Sequence, residues 1–539
     1  MPLTTLSARL SSTATKRGPA GSWISPLLPL RAAVPVAVVA GVALDLATPD
    51  VGWWPLTFVS VALALATLVG RSIAGALMLG LVFGGSFYAL HLAWVGQFLG
   101  PLPRIALSGL ETLMVGIGAI PIALAYRWTG RFHRRSMVQI FVVPLLIGGL
   151  WTVREIVMGS WPYGGFPWVR LGMTQVNGPF PEVASWIGVT GLSFLVAIVS
   201  AALVQWIRAG GTRFFLGLLP VGATAVILMG VPQFPTTDAG TFTVGWVQGN
   251  GPSGYFDDRR PGAILDAHST ATESLIGLPM DLLVWPEGSV DSDPLNESAT
   301  ATELDRIVTS AQAPLLANAA TTRGGRTFNT SLLWTADTAD PQMHDKVHPV
   351  PFGEYVPDRW LYEKLAPDLV QLIQREYTPG TTAPVMNVGP VRVGLAICFD
   401  VIFDDVIQAG AQDGAQLFVF QTNNADFRGS DENLQQLAFA RMRAIETGRA
   451  VVNVSTVGTS QVISPAGEPI EMIGIDEAAA KITTLPLRTG LTPGIILGPW
   501  LSDLIIAMSL ALLALAALTR HVGLTADVRR RPPKRRLAL

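Results

Sequence analysis

Charge is scarce in this chain. Only 14% of its 539 residues are charged, against roughly 25% in a typical soluble domain, which excludes an ordinary water-facing surface over its whole length. Cysteine is scarcer still, with Cys398 the single one. No intrachain disulfide is possible, so any water-facing module must stand on its own core. A short apolar stretch with a small-residue cleavage site is also missing near the start, so the first apolar run is expected to stay as an anchor. Solenoid-period repeats and long low-complexity tracts are absent too.

What is there is apolar and unevenly charged. Half of the residues are hydrophobic. Residues 240–490 hold 31 Asp and Glu against 16 Lys and Arg, leaving 8 acids and 21 bases for the rest. The overall charge of −2 therefore hides two environments, an acidic module inserted into a basic, apolar frame. Runs near the ~20 residues needed to cross a bilayer recur at 33–49, 54–70, 74–95, 105–126, 138–158, 183–206, 214–231 and 498–518. With eight alternating spans, 18 of the 21 frame bases fall on one side. By the positive-inside rule both termini are then cytoplasmic and the 240–490 module faces outward. The expected order is a cytoplasmic segment (1–32), a seven-helix region (33–232), the outer module (240–490), an eighth helix (498–518) and a basic cytoplasmic tail (519–539).

Some frame residues stand out. Glu111 lies within the fourth run, where an acid is costly unless paired, and a helix–helix hydrogen bond is the favoured reading. Asp45 falls near a membrane interface. Trp161, Tyr163, Phe166 and Trp168, in the outer loop GSWPYGGFPWVRLG, suit either an interfacial aromatic belt or a lipid entry under the module.

The module reads as an α/β sandwich. Candidate strands are 242–248, 281–286, 314–320, 330–336, 391–397, 415–422 and 450–456, several apolar throughout, as for strands buried on both faces. Residues 430–448 read as an amphipathic helix, N-capped by Ser430 and ended by Gly448, with a stripe of Leu434, Leu437, Ala438, Met442 and Ile445. QVISPAGEPI (461–470) reads as a hairpin.

Three strand ends carry a residue capable of chemistry: Glu287 in WPEGS, Lys346 in HDKVHPVPFGEYVP and Cys398 in GLAICFD. Each has a bland alternative. A lone Cys after an apolar strand is commonly inert core, Glu287 suits a solvated turn, and Lys346 beside Asp345 suits a weak surface ion pair. Together they meet the needs of acyl transfer: a thiol, a carboxylate whose pKa burial can raise into the range of a base, and an ammonium for the oxyanion. His344 and His348 flank Lys346, and alternation would turn both to the opposite face.

These motifs, in this order and spacing, resemble the Glu–Lys–Cys triad of the nitrilase superfamily. With the eight-span frame, VQGN (247–250), FPWVRLG (166–172) and ARMRAIETGRAVVNVSTVG (440–458), the chain resembles the apolipoprotein N-acyltransferases over nearly its whole length. The resemblance implies a four-layer α-β-β-α sandwich beside an α-helical membrane bundle, in the bacterial cytoplasmic (inner) membrane. It implies Glu287 as general base, Lys346 as oxyanion stabiliser, Cys398 as nucleophile and Glu354, in PFGEY, as a supporting carboxylate. The implied partners are the lipid bilayer, a phospholipid acyl donor and a diacylated apolipoprotein acceptor, with no metal, organic cofactor or nucleic acid. Two features depart from the family. Phe399 and Asp400 follow the cysteine where many relatives carry Tyr-Glu, which removes a hydroxyl and shortens the acid. Tyr255 or Phe256 stands where relatives often carry a Trp on a mobile arm. A membrane-tethered amidase would share the acyl-enzyme chemistry with water as acceptor, although eight spans suit a soluble substrate poorly. A transporter or receptor would be expected to carry paired broken helices or ionisable residues, and no such pairing is evident.

Overall fold

The computed structural model describes residues 25–132, 137–209, 229–336 and 340–519, together with positions 222 and 226. Apolar helices run over Leu30–Asp45, Pro55–Leu68, Ile73–His91, Pro101–Thr129, Val143–Met158, Ala184–Ala209 and Pro493–Thr519. Among the described residues five stretches are long and apolar enough to cross a membrane: Ile73–His91, Pro101–Phe132, Val138–Met158, Pro181–Arg208 and Pro493–Thr519. The runs expected at 33–49 and 54–70 form shorter helices, of 16 and 14 residues. At 1.5 Å per residue they rise about 24 and 21 Å, less than the ~30 Å hydrocarbon core. The first helix ends at Asp45, which lies 3.4 Å from His91. The second ends just before Gly70, whose φ of 69° leaves the helix. The run at 214–231 lies mostly outside the described residues, as do the basic tail beyond Thr519 and residues 1–24.

Small residues let the helices close up. A Cβ on Gly80 would lie 2.8 Å from Gly116 Cα, so backbone meets backbone between Ile73–His91 and Pro101–Thr129. Glu111 is buried there beside Tyr88 of the neighbouring helix, in keeping with a role as polar glue.

Residues 237–489 form two six-stranded sheets. The first contains β1 (Thr237–Gln248), β2 (Leu282–Val284), β3 (Leu315–Arg323), β4 (Arg326–Trp334), β5 (Gln342–Asp345) and β12 (Ala479–Thr489), in the order β12-β1-β2-β3-β4-β5. The second contains β6 (Val385–Val388), β7 (Val391–Ile397), β8 (Leu417–Thr422), β9 (Val451–Ser455), β10 (Ser460–Ile463) and β11 (Pro469–Ile473), in the order β11-β10-β9-β8-β7-β6. All seven expected strands are present, and β10 and β11 are the expected hairpin. The centre of each sheet is parallel, β1–β2–β3 and β7–β8–β9. These strands are buried on both faces, which is why they read as unbroken apolar runs.

The inner faces meet in one core, with Val244, Trp246 and Leu282 against Val393, Leu395 and Val419. Helices Ala263–Thr272 and Ser298–Ala311 cover the first sheet through Leu265, Leu304 and Ile307. Helices Asp404–Gln412 and Glu432–Thr447 cover the second, giving four layers, α-β-β-α. Their core continues unbroken into Trp94, Trp168 and Ala184 of the membrane part.

The Glu432–Thr447 helix departs from its sequence reading. Its first residue is Glu432, so Asp431 and not Ser430 holds the cap position; the Ser430 hydroxyl donates to Phe427 O at 2.6 Å and accepts from Glu432 N–H at 3.5 Å. Leu434 is exposed. Arg443 and Glu446 are buried because the helix is covered on both sides. The sheet lies beneath it and the membrane part lies above.

Candidate active site

Glu287 follows β2 after Trp285 and Pro286, Lys346 follows β5 directly, and Cys398 follows β7 directly. All three line one cavity of about 190 Å³. The first sheet supplies the carboxylate and the amine, and the second supplies the thiol. The topology therefore joins points far apart in sequence across the seam between the sheets.

Lys346 is 1% exposed. Its Nζ lies 3.1 Å from Glu287 Oε1 and 2.9 Å from Glu354. The ion pair with Asp345 does not form, since that carboxylate takes Arg323 and the Thr330 hydroxyl instead. Burial alone would lower the Lys346 ammonium, but Glu287 and Glu354 more than offset it and hold its pKa well above the usual lysine range. Burial raises Glu287, with the Lys346 charge opposing and the Glu354 charge adding to the rise. This is the direction a general base requires. Glu354 is fixed by Val350 N–H at 2.7 Å.

Asn329, on β4, completes this half. Its Nδ2 donates to Glu287 at 2.8 Å and to Glu354 at 3.1 Å. Its Oδ1 accepts from Asn318 Nδ2 at 2.9 Å, and Asn318 Oδ1 in turn accepts from Gly288 N–H. The amide cannot turn over without losing these bonds. Sequence reasoning missed both asparagines; Asn318 stands out only as a polar residue among Leu and Ala in β3, and Asn329, among Thr and Ser in β4, does not stand out at all.

Cys398 has φ of 50°, in the left-handed region that residues with a Cβ avoid. Such strain persists where neighbours over-determine it, and here Asp400 does so. Its buried carboxylate accepts from the backbone N–H of Ile397 (3.3 Å), Val347 (3.2 Å) and His348 (2.8 Å). One acid thus ties the Cys398 turn to the loop carrying Lys346. Burial pushes Asp400 up to about 6, against the pull of Lys346. Burial and the Glu287 charge likewise raise the Cys398 thiol, opposed by Lys346 and by the Asn423 backbone N–H. Phe399 packs between Phe166 and Phe403, so its ring serves the seat on the membrane part.

The histidines stand apart. His344 is buried beside Thr382, and burial lowers it to about 4. His348 stacks on Phe403 and meets Asp405 at 2.9 Å. At the cavity rim, the Tyr255 hydroxyl donates to Leu372 O at 3.2 Å and accepts from Gln374 N–H at 3.0 Å. Phe256 is 54% exposed and packs on Phe98. Among the described residues no group of three His, Cys, Asp or Glu is placed to hold a metal ion.

The seat is polar as well as apolar. Gln435 Oε1 accepts from the indole N–H of both Trp94 (3.2 Å) and Trp168 (2.7 Å). Arg170 and Arg443 converge on Asp404. Val189 N–H donates to Glu446 at 3.2 Å, where Gly188, at φ 68°, breaks the helix. Phe166 and Trp168 therefore lie under the module, whereas Trp161 is exposed.

Residues 40–202 match the apolipoprotein N-acyltransferase N-terminal domain, and residues 244–489 match the carbon-nitrogen hydrolase family. An apolipoprotein N-acyltransferase of Mycolicibacterium smegmatis is 31% identical, covering 89% of this chain and 84% of its own length. This chain belongs to the apolipoprotein N-acyltransferase family. Another member, from Geobacter metallireducens, is 28% identical over 80% of this chain and 85% of its own. Among solved structures, an amidase from Nesterenkonia sp. is 21% identical over 47% of this chain and 93% of its own, with a TM-score of 0.36. The chain is an acyltransferase-family membrane protein, and its sandwich is a nitrilase-like, carbon–nitrogen hydrolase fold. Glu287, Lys346 and Cys398 all fall within the hydrolase match.

Proposed function

We propose that this chain moves an acyl group from a membrane phospholipid, through a thioester on Cys398, to the α-amine of the N-terminal diacylglyceryl-cysteine of an apolipoprotein. The observation that carries this reading is the Lys346 ammonium, buried between two carboxylates in the cavity that Cys398 lines. Glu287 takes the thiol proton and the sulfur adds to the ester carbonyl carbon. The oxyanion that forms is held by Lys346. The C–O bond then breaks, the lysophospholipid leaves with the proton from Glu287, and the thioester remains. In the second half the amine adds to the thioester carbonyl and Glu287 takes its proton. The C–S bond breaks, leaving an amide, and the proton returns to sulfur. Glu354, Asn329 and Asp400 hold these groups in place.

At about 190 Å³ the cavity is little larger than the ~150 Å³ kind that holds one benzene. It suits the reacting ester or thioester and a few methylenes, so the rest of each lipid extends past the rim at Phe98 and Tyr255. The membrane reading adds eight spans (33–232 and 498–518), cytoplasmic ends at 1–32 and 519–539, and an extracytoplasmic module at 240–490 in the bacterial cytoplasmic membrane. The positive-inside pattern and the five long apolar helices support it. The test is to supply the purified protein with phospholipid and a diacylated lipopeptide. N-acylated lipopeptide and lysophospholipid are expected in equal amounts. Free fatty acid with the lipopeptide untouched would overturn the transferase reading.

A further inference from the structure

Cys398 Sγ has a neighbour outside the Glu–Lys–Cys set. Gln436, in the first turns of the Glu432–Thr447 helix, directs Nε2 at the sulfur from 3.4 Å. The direction of that amide is fixed from behind. Gln436 Oε1 accepts from Asn424 Nδ2 at 2.9 Å, and Asn424 Oδ1 accepts from the Ser455 hydroxyl at 2.6 Å. The Ser455 oxygen accepts in turn from Gly458 N–H at 2.9 Å. Every bond in this series points the same way, from Gly458 through Ser455, Asn424 and Gln436 to the sulfur. Turning the Gln436 amide over would set oxygen against sulfur and two NH₂ groups against each other. Gln436, Asn424 and Ser455 are all buried, where aligned hydrogen bonds polarise one another.

We propose that Gln436 is a further catalytic residue, an amide donor that holds the Cys398 sulfur in its anionic form, and that Asn424 and Ser455 are positioning residues acting through it. The donor counters the cost of charging a buried sulfur, which is highest just before attack. Once the sulfur is acylated it is a poor acceptor, so the bond favours the thiolate over the thioester and aids the departure of sulfur in the second half-reaction. The charged groups that act on the sulfur are Glu287 and Lys346 from the first sheet and Glu432 from the helix, while Asp400 in its own turn is directed at backbone N–H groups. Asn424 also donates to Glu432 at 2.8 Å, and burial pushes that acid up to about 8. Where Glu432 is charged it raises the thiol, as Glu287 does, and the Gln436 amide counters both. The neighbouring Gln435 bonds Trp94 and Trp168, so two consecutive residues link the membrane seat to the nucleophile.

This rests on Cys398 being the nucleophile, but its test does not need turnover. Cys398 is the single thiol, so alkylation of the full-length protein by iodoacetamide, followed across pH, reads its thiolate alone. Gln436→Ala is expected to slow alkylation at pH 7 about tenfold, the worth of one hydrogen bond to a charged group, and to move the profile to higher pH. Gln436→Glu, similar in size, is expected to slow it at least as much by setting a carboxylate against the sulfur. Asn424→Ala should slow it severalfold, and the double variant with Gln436→Ala no further than Gln436→Ala alone. Wild-type profiles in both Gln436 variants would overturn the proposal. So would effects of Asn424→Ala and Gln436→Ala that multiply independently. If alkylation follows the expected pattern while wild-type protein forms no acyl-enzyme, the amide donor stands and the transferase reading fails.

Discussion

The two sheets of the sandwich make unequal contributions. The first, capped by helices Ala263–Thr272 and Ser298–Ala311, brings Glu287, Lys346 and Asn329 as one preassembled charged cluster. The second brings Cys398, strained at its turn, and its covering helix is pressed against membrane helices. The carboxylate and the amine thus sit on one sheet, and the thiol sits on the sheet whose covering helix is seated on the membrane part. The difference suggests a division of labour: one sheet tunes charge, and the other places the sulfur relative to the lipid. Asp400 joins them, since its carboxylate holds backbone from both halves.

The largest effect should come from breaking the first sheet's cluster. Lys346→Met leaves Glu287 and Glu354 buried without their cation. Losing an oxyanion donor costs about 10²–10³ in rate, and breaking a buried pair costs about 3–5 kcal/mol. Transfer rate and melting temperature should therefore both fall, and a variant that kept either would contradict the cluster's role. Next comes the joint. Asp400→Asn puts an NH₂ where acceptor oxygens faced three N–H groups. The rate should fall at least tenfold, since hydrogen bonds to a charged group are worth ~1.5–3 kcal/mol each, while Cys398 stays alkylatable. A near-wild-type rate would show that the two halves do not need this tie.

The seat of the second sheet should matter more to stability than to chemistry. Asp404→Ala leaves Arg170 and Arg443 without their shared carboxylate, although Arg443 keeps Glu446. Melting in detergent should drop by several degrees, and the Asp404–Gln412 segment should become open to protease. Unchanged melting would separate the seat from this network. The smallest effect concerns Glu432, raised to about 8 by burial. Above pH ~4.5 the unfolded chain releases this proton while the folded protein keeps it until about 8. Between those values the folded state holds more protons, so stability falls as pH rises. Glu432→Gln should make the decline in melting temperature from pH 5 to 8 shallower, and an unaltered decline would contradict the assignment.

Much of this was legible in the sequence, for a physical reason. Glu287 and Cys398 each follow an apolar strand buried on both faces, so each is a polar residue at the edge of an apolar run. Lys346 follows the short polar edge strand β5 and was legible from its motif alone. The long helices were legible because lipid demands length and apolarity together. Asn329, Asn424 and Gln436 were not, because a single amide within a strand, loop or helix leaves no periodic mark. Their meaning lies in partners that only the fold brings near. Ser430 misled because the helix begins two residues later, at Glu432. The burial of Arg443 and Glu446 was hidden because the membrane part that covers them lies elsewhere in the sequence. Asp400 was visible as a shorter acid, but its three backbone donors were not.

The central claim is that Cys398, served by groups of both sheets, carries the acyl chain. The most direct measurement is intact mass and peptide mapping of the purified protein after incubation with phospholipid alone. The expected result is one acyl adduct on the peptide containing Cys398, released by hydroxylamine and absent in Cys398→Ala. No adduct, or an adduct that persists in Cys398→Ala, would contradict it.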